Sequence, residues 1–209
     1  MTDSAETIRA TMDVAPLDDV VEAVRQALDA GEDDDALGEL VSAVLQRAVT
    51  TPTWSDPKRG ARALRHLVDL AERCGIADGD TPTRILVRAI ELDPEGDDAI
   101  VEYLTSVANT DYRFANRSLL DAARTVSDPA RARRLAVLDT IAEWFVLQSY
   151  LEPPTEPYVA AMHRAFDGAV ALGSDEAGWL DARAWVVERI PFAASLLPED
   201  VFRRFGTRG

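Results

Sequence analysis

The part of the sequence that decides the fold lies between residues 129 and 150, which read PARARRLAVLDTIAEWFVLQSY. Around the run WFVL at 144–147, a dense stretch of large apolar residues, apolar residues occupy almost every side of a helix. A helix that is apolar all round has to be covered on every side. The stretch therefore predicts a long helix at the centre of a core, with Trp144 and Phe145 buried.

Helical spacing continues outward from this stretch to both ends of the chain, because apolar residues recur three and four positions apart. Further helices are predicted at about 16–30, 33–49, 56–74, 82–92, 97–109, 113–126, 156–172, 175–190 and 198–204. Strand signals are nearly absent. The sequence therefore predicts an all-α fold of antiparallel helical hairpins, arranged as a repeat-like array or as a compact helical bundle.

One break in the helical spacing is stronger than the others. Residues 51–57 read TPTWSDP, and two prolines so close together interrupt any helix. This break predicts an N-terminal helical segment at 1–52 and a main helical domain at 53–209. A single domain covering 1–209 is the alternative.

The net charge of the chain limits the classes of partner that can be expected. Its net charge is −15, from 37 acidic and 22 basic residues. A field of this sign repels nucleic acids and anionic membranes, so neither is expected as a general partner. Lys58 is the only lysine, and this preference for arginine fits a high-GC genome or a halophilic, high-salt cytoplasm.

The compartment follows from what the sequence offers for export and oxidation. Its first residues, MTDSAE, have neither the basic nor the apolar part of a secretory signal. Cys74 is the only cysteine, so a disulfide within the chain is excluded. No apolar run approaches the length that spans a bilayer. We therefore expect a cytoplasmic protein.

Two helices between residues 94 and 129 show repeat-like spacing. Pro94 and Pro129 bracket them. The apolar positions in phase are Ile100, Tyr103, Leu104, Val107, Leu120 and Ala123, with Leu86 and Ala89 before them and Phe166, Ala169 and Leu172 as a looser echo. Residues 83–129 thus resemble the tetratricopeptide helical-hairpin repeats. The resemblance implies a concave surface that binds a peptide or a partner protein.

Residue types for catalysis are scarce. The two histidines, His66 and His163, each lie on a predicted helix, and Asp167 one turn after His163 indicates an exposed helix pair. The acidic run EDDD at 32–35 fits a helix start better than a cation site, because adjacent carboxylates fan outward. No nucleotide-binding or nucleophile motif is present. We expect no catalytic residue, no metal and no cofactor.

Basic residues are concentrated in two islands, at 58–65 and 113–134. Arginine suits bidentate contact with oxyanions, so an acidic ligand would find its partners there. Internal pairing with the acidic majority is the alternative. The binding residues predicted on these grounds are Arg113, Arg117, Arg131 and Arg134, of which the first two are more suited to an external ligand.

The function favoured by these features is a non-enzymatic protein-interaction module: an adaptor, chaperone or regulator that binds a protein segment. An acidic peptide is one such segment. The Arg-rich segment or the aromatic segment at 179–205 would supply the surface. One alternative is a helical-bundle enzyme or a phosphate-binding protein that uses arginine clamps. A second is a nucleic-acid-associated regulator. Homo-oligomerisation is left open.

Overall fold

The protein is all-α in the part of the chain that the structure describes. A computed structural model describes residues 4–31, 34–48, 50, 53–76, 81–109, 119–148 and 156–206. These ranges contain eleven α-helices and one 3-10 helix, and no strand. The predicted fold class is confirmed.

The helices follow one another with short connections. They are α1 Ser4–Thr11, α2 Leu17–Asp29, α3 Asp34–Ala48, α4 Pro57–Arg73, α5 Thr81–Leu92, α6 Asp98–Asn109, α7 Leu119–Thr125, α8 Pro129–Gln148, α9 Glu156–Ala171, α10 Glu176–Arg189 and α11 Val201–Gly206. The 3-10 helix Pro191–Ser195 lies between α10 and α11. Consecutive helices pack in pairs, as in a helical array or bundle: α2 with α3, α4 with α5, and α8 with both α7 and α9.

The chain forms two compact units, residues 1–99 and residues 100–209. In the first unit α4 packs against α2, α3 and α5. Helices α2 and α3 therefore contact α4 within this unit, and the boundary at 52/53 stays a prediction.

The loop that precedes α4 is held by a buried carboxylate. Asp18 accepts the backbone N–H of Ser55 over 2.9 Å and also its hydroxyl proton, and the guanidinium of Arg59 lies 3.4 Å away. Burial raises the pKa of Asp18, but the hydrogen bonds from Ser55 and the Arg59 charge together lower it by more than burial raises it. The pKa of Asp18 therefore lies below its ordinary value. Asp56 then caps α4 by accepting the N–H of Arg59. Ser55, which lies within the predicted break, is thus held against α2.

In the second unit α8 is the central helix. It packs against α7, α9 and α10. Trp144 is 4% exposed and Phe145 2% exposed, so the prediction that this helix lies in the core is confirmed. Its start is fixed by Asp128, whose carboxylate accepts the N–H groups of Ala130 and Arg131.

The C-terminal aromatic residues complete this core. The Phe202 ring lies 5.0 Å from the Phe166 ring, and the Phe205 ring lies 6.1 Å from Trp144 and 5.3 Å from His163. His163 therefore contacts an aromatic edge at the docking surface of α11. The aromatic residues of α11 pack inward, so this part of the segment 179–205 serves the core.

Candidate binding cleft

A cleft of about 370 Å³ opens between α8 and α10 in the second unit. One wall is a stripe of α8 at positions 130, 133, 134 and 137. The other is a stripe of α10 at positions 178, 181, 182 and 185. Both sets step by three, one and three residues, the spacing that places side chains on one face of a helix. The two helices thus present matching faces to the cleft.

Small residues make the room in this cleft. Ala130, Gly178 and Ala182 contribute little or no side chain to its walls. Larger residues at these positions would fill a space of this size. The volume therefore follows from the sequence of the two stripes.

The floor of the cleft is set by the turn between α9 and α10. Gly173 adopts a positive φ of 85°, a conformation that favours glycine, and so ends α9. The Ser174 hydroxyl donates to the backbone carbonyl of Arg133 over 3.4 Å, which ties the turn to α8. Asp175 then caps α10 by accepting the N–H of Gly178 over 2.9 Å. These contacts place the start of α10 beside the first turns of α8.

An aromatic ring with two cations lies at the end of the cleft. The guanidinium carbon of Arg134 lies 4.3 Å from the centroid of the Trp185 ring, and that of Arg189 lies 4.5 Å from it. Cations at such distances are attracted by the ring quadrupole. Arg134 is half-buried here. The ring therefore fixes the position of Arg134, one of the four predicted binding residues.

Two charged side chains of the cleft remain open to a ligand. Arg133 and Asp181 are both exposed, and neither forms an ion pair with another described residue. Asp175, the other acid of the lining, is used as a helix cap. A ligand in the cleft would thus meet one available cation and one available carboxylate beside an indole ring.

The predicted binding residues are only partly brought together. Arg134 lines the cleft, whereas Arg131 lies outside its lining. Arg113 and Arg117, the two predicted for an external ligand, fall outside the described residues. Arg133 and Trp185 lie in the basic island and the aromatic segment predicted from the sequence, but neither was among the four individually predicted binding residues. The spacing of these residues along each helix can be found in the sequence. The packing of α8 against α10 is a tertiary contact that the spacing does not determine.

A buried acid lies deeper in the same unit, on α8. Asp139 is 2% exposed and accepts the backbone N–H groups of Leu119 and Leu120 at the start of α7. Burial, together with the nearby charge of Glu143, raises the pKa of Asp139 to about 7 despite these hydrogen bonds. Burial also raises the pKa of Glu143. This acid anchors α7 to the central helix.

The described residues offer neither a metal site nor a membrane-spanning helix. No group of three or more His, Cys, Asp and Glu side chains is placed there to hold a metal ion. None of the described helices combines the length and the apolar composition that a membrane crossing requires.

No family model matches the chain, and no curated protein or solved structure matches it either. The assignment of a function therefore depends on the geometry of the cleft.

Proposed function

We propose that this chain is a non-enzymatic protein-interaction module that binds an acidic segment of a partner protein in the cleft between α8 and α10. The observation that carries the proposal is the position of Arg133. It is exposed at the cleft and forms no ion pair with the described residues, in a chain of net charge −15. A partner carboxylate would supply the missing counter-ion through a charge-assisted hydrogen bond.

A contact between the two walls of the cleft supports a peptide ligand. Trp and Arg are the residues that most often dominate the energy of protein interfaces, and Trp185 with Arg134 offers both in one contact. The available carboxylate of Asp181 would repel a uniformly acidic segment and favour one that also carries a base. The tetratricopeptide-like spacing of residues 83–129 supports the same class of function, because such repeats hold peptides on concave surfaces.

The test is a peptide-display selection against the full chain, followed by affinity measurement of the selected peptides by fluorescence anisotropy. We expect enrichment of peptides with Asp or Glu, and Arg133→Glu should weaken their binding at least about tenfold, or 1.4 kcal/mol. The matched control is Arg124→Glu, an exposed arginine of α7 that pairs with Asp121 over 2.9 Å. It should leave peptide affinity unchanged.

Two results would count against the proposal. One is a selection without enrichment of acidic residues. The other is equal binding of the selected peptides to the chain and to Arg133→Glu at unchanged melting temperature. Either result would show that the cleft between α8 and α10 does not bind an acidic segment of a partner protein.

A further inference from the structure

Two hollows flank α4 in the first unit, and one arginine borders both. The hollow between α2 and α4 measures about 360 Å³, and the one between α4 and α5 about 160 Å³. Arg62 lines each of them. Lys58 lines the smaller hollow, and His66 lines the larger one. These residues, together with Arg59 and Arg65, are called here the α4 basic face.

The spacing of the α4 basic face places the charges of Lys58, Arg59, Arg62 and Arg65 close together, with the imidazole of His66 at the end of the row. Lys58, Arg62 and His66 are four residues apart, and so form one row along the helix. Arg59 and Arg65 lie three residues before and after Arg62. Like charges at these steps repel each other and destabilise a helix. An anion bound beside these side chains would reduce the repulsion between them and so stabilise the helix.

Acidic residues of the same unit neutralise only the flanks of the row. Arg59 forms an ion pair with Asp19 over 2.7 Å, and Arg65 pairs with Asp98 over 2.8 Å. Arg62 and Lys58 are exposed and form no ion pair with any described residue. The ion pairs therefore leave positive charge on Arg62, at the centre of the face, and on Lys58, at its N-terminal edge.

The acids of the larger hollow are already bound within the chain. Asp18 accepts two hydrogen bonds from Ser55, and Glu22 accepts hydrogen bonds from Arg25 over 2.7 Å and from Gln26 over 2.8 Å. The guanidinium of Arg59 balances the charge of Asp18, and that of Arg25 balances the charge of Glu22. An anion that enters the hollow would meet Arg62 and His66 as its available donors.

We propose that the α4 basic face binds the phosphate group of a small molecule, with Arg62 as its central ligand. The guanidinium fork matches two phosphate oxygens, and His66, which lines the same larger hollow, can donate to a third. The larger hollow has the volume of a small-molecule site. Phosphate on a nucleic acid is disfavoured, because the net charge of −15 repels an extended polyanion.

The experiment uses inorganic pyrophosphate as the probe, compared with sodium chloride at matched ionic strength. We expect pyrophosphate to raise the melting temperature beyond the chloride control, and its 31P resonance to broaden on addition of the chain. Arg62→Gln should weaken pyrophosphate binding at least about tenfold. It should not lower the melting temperature of the ligand-free chain, because the replacement relieves repulsion along α4.

The matched control lies on the same helix. Arg73 is exposed and pairs with Asp29 over 3.1 Å, so Arg73→Gln removes an equal charge from α4 away from both hollows. It should retain pyrophosphate binding. Equal binding by Arg62→Gln and the unsubstituted chain would overturn the proposal, as would a pyrophosphate effect no larger than that of chloride.

A third arm distinguishes the source of the phosphate. A single-stranded oligonucleotide that binds more tightly than pyrophosphate, and loses that affinity in Arg62→Gln, would assign the α4 basic face to nucleic acid and overturn the small-molecule proposal. Arg133→Glu should leave pyrophosphate binding intact. The two proposed sites can therefore fail independently.

Discussion

Trp144 donates its indole N–H to the backbone carbonyl of Leu196 over 2.7 Å. This bond joins the central helix α8 to the segment that follows the 3-10 helix. Most of the indole is buried, so the bond satisfies a donor that water does not reach. The C-terminal part of the fold is thus tied to the core by a polar contact as well as by its aromatic rings.

The first prediction compares two buried tryptophans. Trp144→Phe should destabilise the fold by at least about 1 kcal/mol more than Trp179→Phe. Both changes remove part of a buried ring, but only the first breaks a hydrogen bond. The indole N–H of Trp179 is buried without a hydrogen-bond partner among the described residues. Urea denaturation measures the difference, and equal losses would show that the Leu196 contact contributes nothing.

The second prediction concerns pH and Asp139. Its folded pKa of about 7 lies above the ordinary value of 3.8, so between these values the folded chain keeps a proton that the unfolded chain has released. The stability that the folded chain gains by keeping Asp139 protonated is therefore fully present below about pH 4, and it is lost as pH rises to about 7. As pH rises from 5.5 to 8, the free energy of unfolding of the unsubstituted chain should fall by about 2 kcal/mol relative to that of Asp139→Asn, which has no carboxyl group to titrate. Urea titrations at both pH values measure it.

Asp18 supplies the opposite sign and so serves as the control. Its folded pKa is lowered, so its contribution to stability is present above the ordinary value of 3.8 and is lost as pH falls through the folded pKa. Asp18→Asn should therefore destabilise the chain equally at pH 5.5 and pH 8. A parallel pH response of the two variants would mean that the buried acids do not differ as described.

The third prediction concerns close packing at a glycine. A Cβ on Gly60 would lie 2.7 Å from Cδ2 of Trp54, whereas a Cβ on Gly38 would have no atom within 4 Å. Gly60→Ala should therefore destabilise the fold, by about 1–3 kcal/mol before the gain in helix propensity. Gly38→Ala should stabilise it by up to about 1 kcal/mol. Thermal melts of the two variants should move in opposite directions, and a shared direction would contradict the Trp54 contact.

The fourth prediction concerns salt. If the net charge of −15 is an adaptation to a salty cytoplasm, the melting temperature should rise between 0.1 and 2 M KCl, because screening reduces self-repulsion. Screening should be nearly complete by about 1 M, where the Debye length is ~3 Å. Most of the rise should therefore occur below that concentration. A flat or falling midpoint would remove this explanation of the acidity.

Helix positions could be predicted from the sequence because proline and glycine mark them. The helix predicted at 16–30 is Leu17–Asp29, and the one predicted at 56–74 is Pro57–Arg73. Two short elements were missed. Helix α1 has only Ala5 and Ile8 as buried positions, too few for a periodic signal. The 3-10 helix Pro191–Ser195 has no such period, and the helix predicted at 198–204 begins later, at Val201.

The candidate cleft could be predicted only in part. The sequence placed Arg134 in a basic island on the central helix, which depends on local composition alone. Its contact with Trp185 joins residues far apart in the chain, and helical spacing does not determine which helices pack together. The same holds for the ion pairs of Arg59 and Arg65, whose acidic partners lie on other helices.

Lys58 gives the chain a chemical property that its many arginines do not. It is the only lysine, and it is exposed in the first turn of α4. Amine-reactive reagents attack lysine and leave guanidinium groups intact, so among the side chains amide formation is confined to this position. A dye or cross-linker can therefore be attached to the edge of the α4 basic face without any substitution. Protection of Lys58 from acylation would report directly whether that face is occupied.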